Sequence, residues 1–226
     1  LWSKRQKGNL MKYKIETVYE NEDIIVLNKP CGLLSLGGGS HLNEQNLLTL
    51  LKKSLKEVYI LDKLDKDVSG LIIFAKNKKT YKHLIDLSDS GLMIKKYYGV
   101  IEGRFDKRSG EIDKPIKRGG SGRMSVHFNG KPSISKYFML RNLKGATLVE
   151  LYPLTYTRHQ LRVHLYYMKH PILGDKLYGE LSKQENYLRI MLHSALIEFE
   201  MSDGKKMKFR KDPPKEFVDI LDRLEQ

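Results

Sequence analysis

Residues 61–76 read LDKLDKDVSGLIIFAK, placing Asp62, Asp65 and Asp67, with Lys63 and Lys66 among them, at the mouth of a run apolar enough to be a buried strand. Carboxylates at a strand end serve as metal ligands, general bases or nucleophiles. The spacing fits no calcium loop and the segment offers no further acidic or histidine partners, so metal binding is the weakest of the three. An aspartate at the foot of a buried strand tends to gain a proton by desolvation, and a catalytic one therefore needs a cation beside it. The second dense cluster is YTRHQLRVHLYYMKHPILGDKLYG, residues 156–179. His159 and His164 stand five apart with no Glu base, unlike the i, i+4 pair of a zinc helix. Arg158 and Arg162 stand four apart and would share one face of a helix. An arginine brought against an aspartate keeps it ionised and aimed through a charge-assisted hydrogen bond.

The elements that must carry these groups follow from periodicity and turn signals. The stretch KYKIETVYENEDIIVLNKP predicts two short strands joined at ENED. CGLLSLGGGSH is rich in glycine but lacks the Gly-Lys-Ser/Thr ending of a phosphate loop, and reads as a lid or turn. In NEQNLLTLLKKSLKEV, Leu47, Leu48, Leu51 and Leu55 have helical spacing, with Asn43 or Asn46 as cap. GLIIFAKN predicts a buried strand, KKTYKHLIDLSDS a helix and KKYYGVIEGRF a strand. Residues 103–132 look loop-like and basic, with Lys114, Lys117, Arg118 and Arg123 set among glycines. That pattern suits either a backbone approaching phosphates or a solvated hairpin. SISKYFML, ATLVELYPL and LHSALIEFEM predict strands, RHQLRVHLYYMKH a helix before Pro171, and PPKEFVDILDRLEQ a helix led by proline. Strands and helices mix without a strict βαβ rhythm, which indicates an α+β fold. No repeat or low-complexity linker interrupts the chain, so the expectation is one domain over 12–226 behind a basic arm at 1–11.

With 41 Lys plus Arg against 27 Asp plus Glu in 226 residues, the formal charge is +14, and the long-range field attracts polyanions. Nucleic acid is the first candidate partner, against the plainer alternative of a lysine-rich composition with no binding role. No segment approaches the roughly 20 apolar residues of a membrane span. The lone Cys31 excludes an intramolecular disulfide or a cysteine-rich zinc site, suits a reducing compartment, and reads as a buried structural thiol. The opening LWSKRQKGNL lacks the apolar core of a signal peptide, so a cytoplasmic location is expected, or an organelle if the arm is the remnant of a transit peptide.

Six stretches, in order, resemble the RluA family of pseudouridine synthases from about Lys12 to Phe217. Asn28, Lys29, Pro30 and Gly32 match the family's NKPxG, and Asp62 to Gly70 align with His-Arg-Leu-Asp-Arg-x-Thr-Ser-Gly. Lys95, Tyr97, Gly99, Ile101 and Gly103 match KxYxAxVxG, and Gly130 to Tyr137 resemble GKPAxTxY. HQLRVHL with KHPILGDKLYG is nearly identical to the family's pattern, and LHSALIEF is similar to its LHAxxL strand. The departures are Asp62 and Lys63 for His-Arg, Val68 for Thr, and Tyr156-Thr157-Arg158 for Gly-Arg-Thr.

The resemblance implies a mixed, mainly antiparallel sheet with flanking helices around an RNA-binding cleft. It also implies isomerisation of uridine to pseudouridine within RNA, without cofactor or metal, by a monomer. It places the catalytic aspartate on Asp65, the active-site tyrosine on Tyr97 and the arginine that pairs with the aspartate on Arg162. RNA contact then falls to Lys63, Lys66, Lys117, Arg118, Arg123, Arg158, His159 and Gln160. Asp62 and Asp67 are expected to be solvated or paired with the neighbouring lysines. With only about eleven residues ahead of the first strand, the small basic domain that often precedes the catalytic one in the family is expected to be absent. The competing readings are an RNA-binding or ribosome-assembly relative that has lost the chemistry, and a glycosidase using Asp62 and Asp65. A glycosidase wants an aromatic sugar cleft, and the single tryptophan, Trp2, lies in the arm.

Overall fold

A computed structural model describes residues 15–37, 44–120 and 122–226. The basic arm and the GGSHLN part of the glycine-rich segment, residues 38–43, lie outside them. The elements in chain order are β1 (Glu16–Glu20), β2 (Ile24–Lys29), α1 (Leu47–Leu51), β3 (Tyr59–Ile60), β4 (Ser69–Ala75) and α2 (Lys78–Asp89). Then come β5 (Ile94–Glu102), β6 (Ser109–Asp113), β7 (Ile116–Arg118), β8 (Met124–Val126), β9 (Ile134–Leu143) and β10 (Ala146–Pro153). The chain ends with α3 (Gln160–Tyr167), α4 (Leu181–Gln184), β11 (Leu192–Glu200), β12 (Lys206–Arg210) and α5 (Lys215–Glu225). One ten-stranded sheet runs β1-β2-β4-β11-β5-β10-β9-β6, with β12 on β11 and β3 on β4, and β7 with β8 forms a separate hairpin. Of these pairings only β4 with β11 is parallel. The sheet is mixed and mainly antiparallel, as expected.

β2 and β4 read as continuous apolar runs because both faces of the sheet are covered there. Ile25, Leu27, Ile72 and Phe74 face a large core closed by Leu47 and Leu51 of α1, Leu161 and Leu165 of α3, and Phe217 and Ile220 of α5. Ile24, Val26, Leu71 and Ile73 face a second core that includes Leu84 of α2. The strand after the aspartate segment is thus the spine of the molecule. Its start is fixed at Gly70, which has φ +113 and lies against the Ser194 main chain where β4 meets β11, so an added Cβ would run into that backbone. Next to it, the Ser69 hydroxyl accepts from Arg189 at 2.6 Å and meets His193 Nδ1 at 2.8 Å.

Several elements differ from expectation. The helix predicted across residues 43–58 is the five-residue α1, capped by the Asn46 side chain on the Thr49 amide at 3.0 Å; Asn43 lies outside the described residues. The basic segment 103–132 holds three short strands. β6 extends the sheet on β9, and β7 pairs with β8. Each of the three buries one large side chain, Ile112, Ile116 or Met124, too few to make a periodic signal. β12, with Met207 and Phe209 buried between lysines and arginine, was not among the expected strands. α3 starts two residues after Arg158 because His159 is left-handed at φ 58, so Arg158 and Arg162 do not share a helical face.

Candidate active site

The loop from Leu61 to Val68 is held against the end of β2 from below. Lys29 is buried, and its Nζ donates to the carbonyls of Leu33 at 2.8 Å, Lys66 at 3.0 Å and Pro30 at 3.1 Å. The Gly32 amide also donates to the Lys66 carbonyl, and the Ser35 hydroxyl to that of Leu64 at 2.8 Å. Burial pushes the Lys29 amine down to about 7, partly opposed by the neighbouring Cys31, Asp65 and Asp67. Cys31 is half-buried and donates to the Asp67 carbonyl at 3.1 Å, so this thiol too braces the loop. Asp65 emerges from this cradle beside a cleft of about 1250 Å³.

The facing wall is built from α3 and the turn before α4. Arg162 Nη1 donates to Asp65 Oδ2 at 2.7 Å, while its Nε and Nη2 grip the two oxygens of Asp175 at 2.8 Å each. The Leu177 and Tyr178 amides also donate to the Asp175 carboxylate. Burial opposes the charge of Arg162, but hydrogen bonding to Asp175 and the charge of Asp65 outweigh it and raise its pKa. The guanidinium is therefore a permanent cation with a fixed direction. His159 Nε2 lies 3.5 Å from Asp65 Oδ1, and its Nδ1 lies 2.9 Å from the Tyr178 hydroxyl.

The floor carries Tyr97, which is 7 % exposed and lines the same cleft as Asp65 and Arg162. Burial, reinforced by Asp62, raises its phenol well above the ordinary value, so it rests protonated. Asp62 pairs with the buried Lys95, whose Nζ also stands 4.5 Å from the centre of the Tyr156 ring. This corrects the expectation for Asp62: its partner is neither Lys63 nor Lys66 but a lysine 33 residues away, which β5 brings beneath the loop.

The match to known proteins covers most of this architecture. Residues 23–167 match the RNA pseudouridylate synthase family. Ribosomal large subunit pseudouridine synthase D of Borreliella burgdorferi is 36 % identical over 220 residues, covering 92 % of this chain and 68 % of that protein. Dual-specificity RNA pseudouridine synthase RluA of Vibrio cholerae is 35 % identical over 188 residues, covering 82 % of this chain and 77 % of that protein. The solved structure of human RNA pseudouridylate synthase domain containing 1 superposes with a TM-score of 0.75 at 25 % identity, covering 89 % of this chain and 84 % of that one. The chain belongs to the RNA pseudouridylate synthase family.

As a pseudouridine synthase of the RluA type, the chain is an isomerase acting on uridine in RNA. The structure brings Asp65, Tyr97 and Arg162 to this synthase's cleft from three separate elements. Lys63, Lys66, Arg118, Arg158 and His159 line it as well. Lys66 also pairs with Glu44 at 2.8 Å. Lys117 is exposed on β7, and Arg123 lies over the rings of Tyr178 and Tyr166 at 4.9 and 5.2 Å. Gln160 borders the cleft as well. It is 4 % exposed, and its carboxamide bonds Thr155, Thr157, Ile134 and Ser135, which fixes the turn before α3. His164 likewise faces the core, between Ser135 and the Lys114 carbonyl at 2.9 Å each. Sequence reasoning quoted GDKLYG without giving Asp175 or Tyr178 a task. The signal was an aspartate in a tight Gly-Asp turn shortly after an arginine-bearing helix, a natural partner for that guanidinium.

Proposed function

We propose that this cleft isomerises a uridine of large-subunit ribosomal RNA, with Asp65 as the group acting at the ribose C1′, Arg162 fixing its carboxylate and Tyr97 receiving the uracil. The observation that carries the reading is the Asp65–Arg162–Asp175 chain of charge-assisted bonds opening onto a cleft floored by a neutral tyrosine. The ribosomal RNA assignment is supported by the name of the Borreliella relative. The reaction is internal to the nucleotide: the C1′–N1 bond breaks, the uracil turns, C5 bonds to C1′, C5 loses a proton and N1 gains one. Asp65 either attacks C1′ or abstracts a ribose proton on a glycal route; both need the carboxylate beside Arg162. The nucleotide must leave its stack to enter the cleft, at a cost of about a few kcal/mol, less in a loop than in a helix. Lys63, Lys66, Arg118 and Arg158 around the rim supply phosphate contacts to hold the opened RNA.

The test is pseudouridine mapping of total RNA from cells lacking the gene, complemented with wild type or with Asp65→Ala. The expected result is one or more large-subunit uridines that lose the modification on deletion and regain it only with the intact aspartate. Full restoration by Asp65→Ala would remove the catalytic assignment. Loss confined to transfer RNA would move the substrate and leave the chemistry standing.

A further inference from the structure

Tyr166 and Tyr167, at the end of α3, are 47 % and 46 % exposed, and Phe128, in the turn after β8, is 81 % exposed. Among the described residues only one other aromatic side chain is comparably open to solvent, Phe138 on β9. The three lie along one seam, where α3 meets the β7–β8 hairpin. Arg123 of the hairpin stands 5.2 Å from the centre of the Tyr166 ring, and Lys114, just before β7, stands 5.8 Å from that of Tyr167. Phe128 stacks on His127 at 4.7 Å, and the His127 amide donates to the carbonyl of Pro115, the residue after Lys114, at 2.9 Å.

One exposed ring needs no explanation, but three set among cations do. Lys183, Lys208 and Lys211 elsewhere on the surface pair with glutamates, whereas no carboxylate of the described residues pairs with Lys114, Lys117, Arg118 or Arg123. Those four charges are left for an anion from outside. The seam also leads into the active site: Arg118 lines the cleft, and the Tyr178 ring beneath Arg123 lies 5.1 Å from the Arg162 guanidinium. Aromatic faces beside free cations suit a single strand, whose bases can stack on the rings while its phosphates meet the charges. A duplex keeps its base faces in its own stack and can use only the charges.

We propose that this seam is a second RNA-contact surface, on which Tyr166, Tyr167 and Phe128 stack unpaired bases while Lys114 and Arg123 take the phosphates between them. The substrate of the cleft then carries its target uridine in or beside a single-stranded loop or junction, not within a continuous helix. The inference about the substrate rests on the reading of the cleft as the site of uridine isomerisation; the stacking surface itself does not.

The experiment is fluorescence anisotropy with two labelled probes, oligoadenylate and an RNA duplex of the same length, on the full chain. Tyr166→Leu combined with Tyr167→Leu should weaken oligoadenylate binding about tenfold or more and duplex binding less than about twofold, which also shows that the variant is folded. Tyr166→Phe combined with Tyr167→Phe keeps both aromatic faces and should stay within about twofold of wild type on both probes. Lys114→Gln should flatten the dependence of log affinity for oligoadenylate on log salt by about 0.7, the value for one phosphate contact on a single strand. No binding of oligoadenylate by wild type, an equal loss on both probes or no loss on either overturns the proposal, and the exposed rings would then belong to a protein interface. Oligoadenylate holds no uridine, so these outcomes are independent of the catalytic reading. That reading fails separately, if Asp65→Ala restores pseudouridine in the mapping experiment.

Discussion

Asp65 is supported from two sides that rely on different physics. Beneath its loop, Lys29 gives all three of its hydrogen bonds to main-chain carbonyls, and burial brings its amine down to about 7. Beside it, Arg162 spends three hydrogen bonds on two carboxylates, and its pKa is raised rather than lowered. Carbonyl dipoles hold an ammonium in place without repaying its lost hydration, whereas a carboxylate restores the charge balance. One support can lose its charge near neutral pH, and the other keeps it wherever the protein folds. The lower support fixes the path of the chain and needs hydrogen-bond donors. The lateral one must stay cationic if Asp65 acts as proposed.

The largest effect should come from removing the lateral balance. The Asp175 side chain is 1 % exposed, and Asp175→Ala leaves the half-buried Arg162 with two bonds gone and two amides unpaired. Breaking a buried pair from one end costs about 3–5 kcal/mol, so urea denaturation should register a loss of that size. Single-turnover activity should fall as well, since Arg162 becomes free to swing away from Asp65. A loss below about 1 kcal/mol would mean that water replaces the carboxylate, and the contrast between the two sides would collapse.

A second substitution turns a balanced lysine into one resembling Lys29. Lys95 is 2 % exposed and pairs with Asp62, so Asp62→Asn leaves a buried ammonium facing an amide and the Tyr156 ring. Because Asp62 itself borders the cleft, the cost should be about 3 kcal/mol at most near pH 7. Urea denaturation of Asp62→Asn and wild type measures it. A loss below about 1 kcal/mol would show that water at the cleft edge replaces the carboxylate.

The two sides also differ in how far the sequence exposed them. The Asp65 segment and the apolar strand behind it stood out because both faces of β4 are buried, and that leaves an unbroken run of large apolar residues. β1, β2, β5, β9, β10, β11 and α2 were legible from alternation, apolar runs or helical spacing, while α3 was misplaced at its start by the left-handed His159, which no spacing encodes. β12 shows a clean alternation in KMKFR and was open to the same reading. β6, β7 and β8 were hidden because their order comes from partners, such as Ile116 against Val126, rather than from their own pattern. Arg162 became a partner of Asp65 through the family resemblance, since 97 residues separate them. Asp62's choice of Lys95 and Tyr178's choice of His159 arise only when the sheet closes, and composition carries no trace of either.

The smallest effect concerns Lys29 and tests the other half of the contrast. Its amine stands at about 7 when folded against an ordinary 10.5, so between those values the unfolded chain binds the extra proton. The stabilisation from this group is complete above pH 10.5 and is lost as pH falls through about 7. The slope it adds to stability cannot exceed about 1.4 kcal/mol per pH unit, the value for a single proton. Lys29→Met removes the titrating group and leaves three carbonyls without their donor, so it should be less stable than wild type at pH 9 and lose part of that deficit at pH 6.5. Urea midpoints of the two proteins at both values decide it. Parallel shifts would mean that Lys29 stays charged throughout, and the Asp65 loop would then rest on two permanent cations rather than on one cation and one amine that gives up its proton.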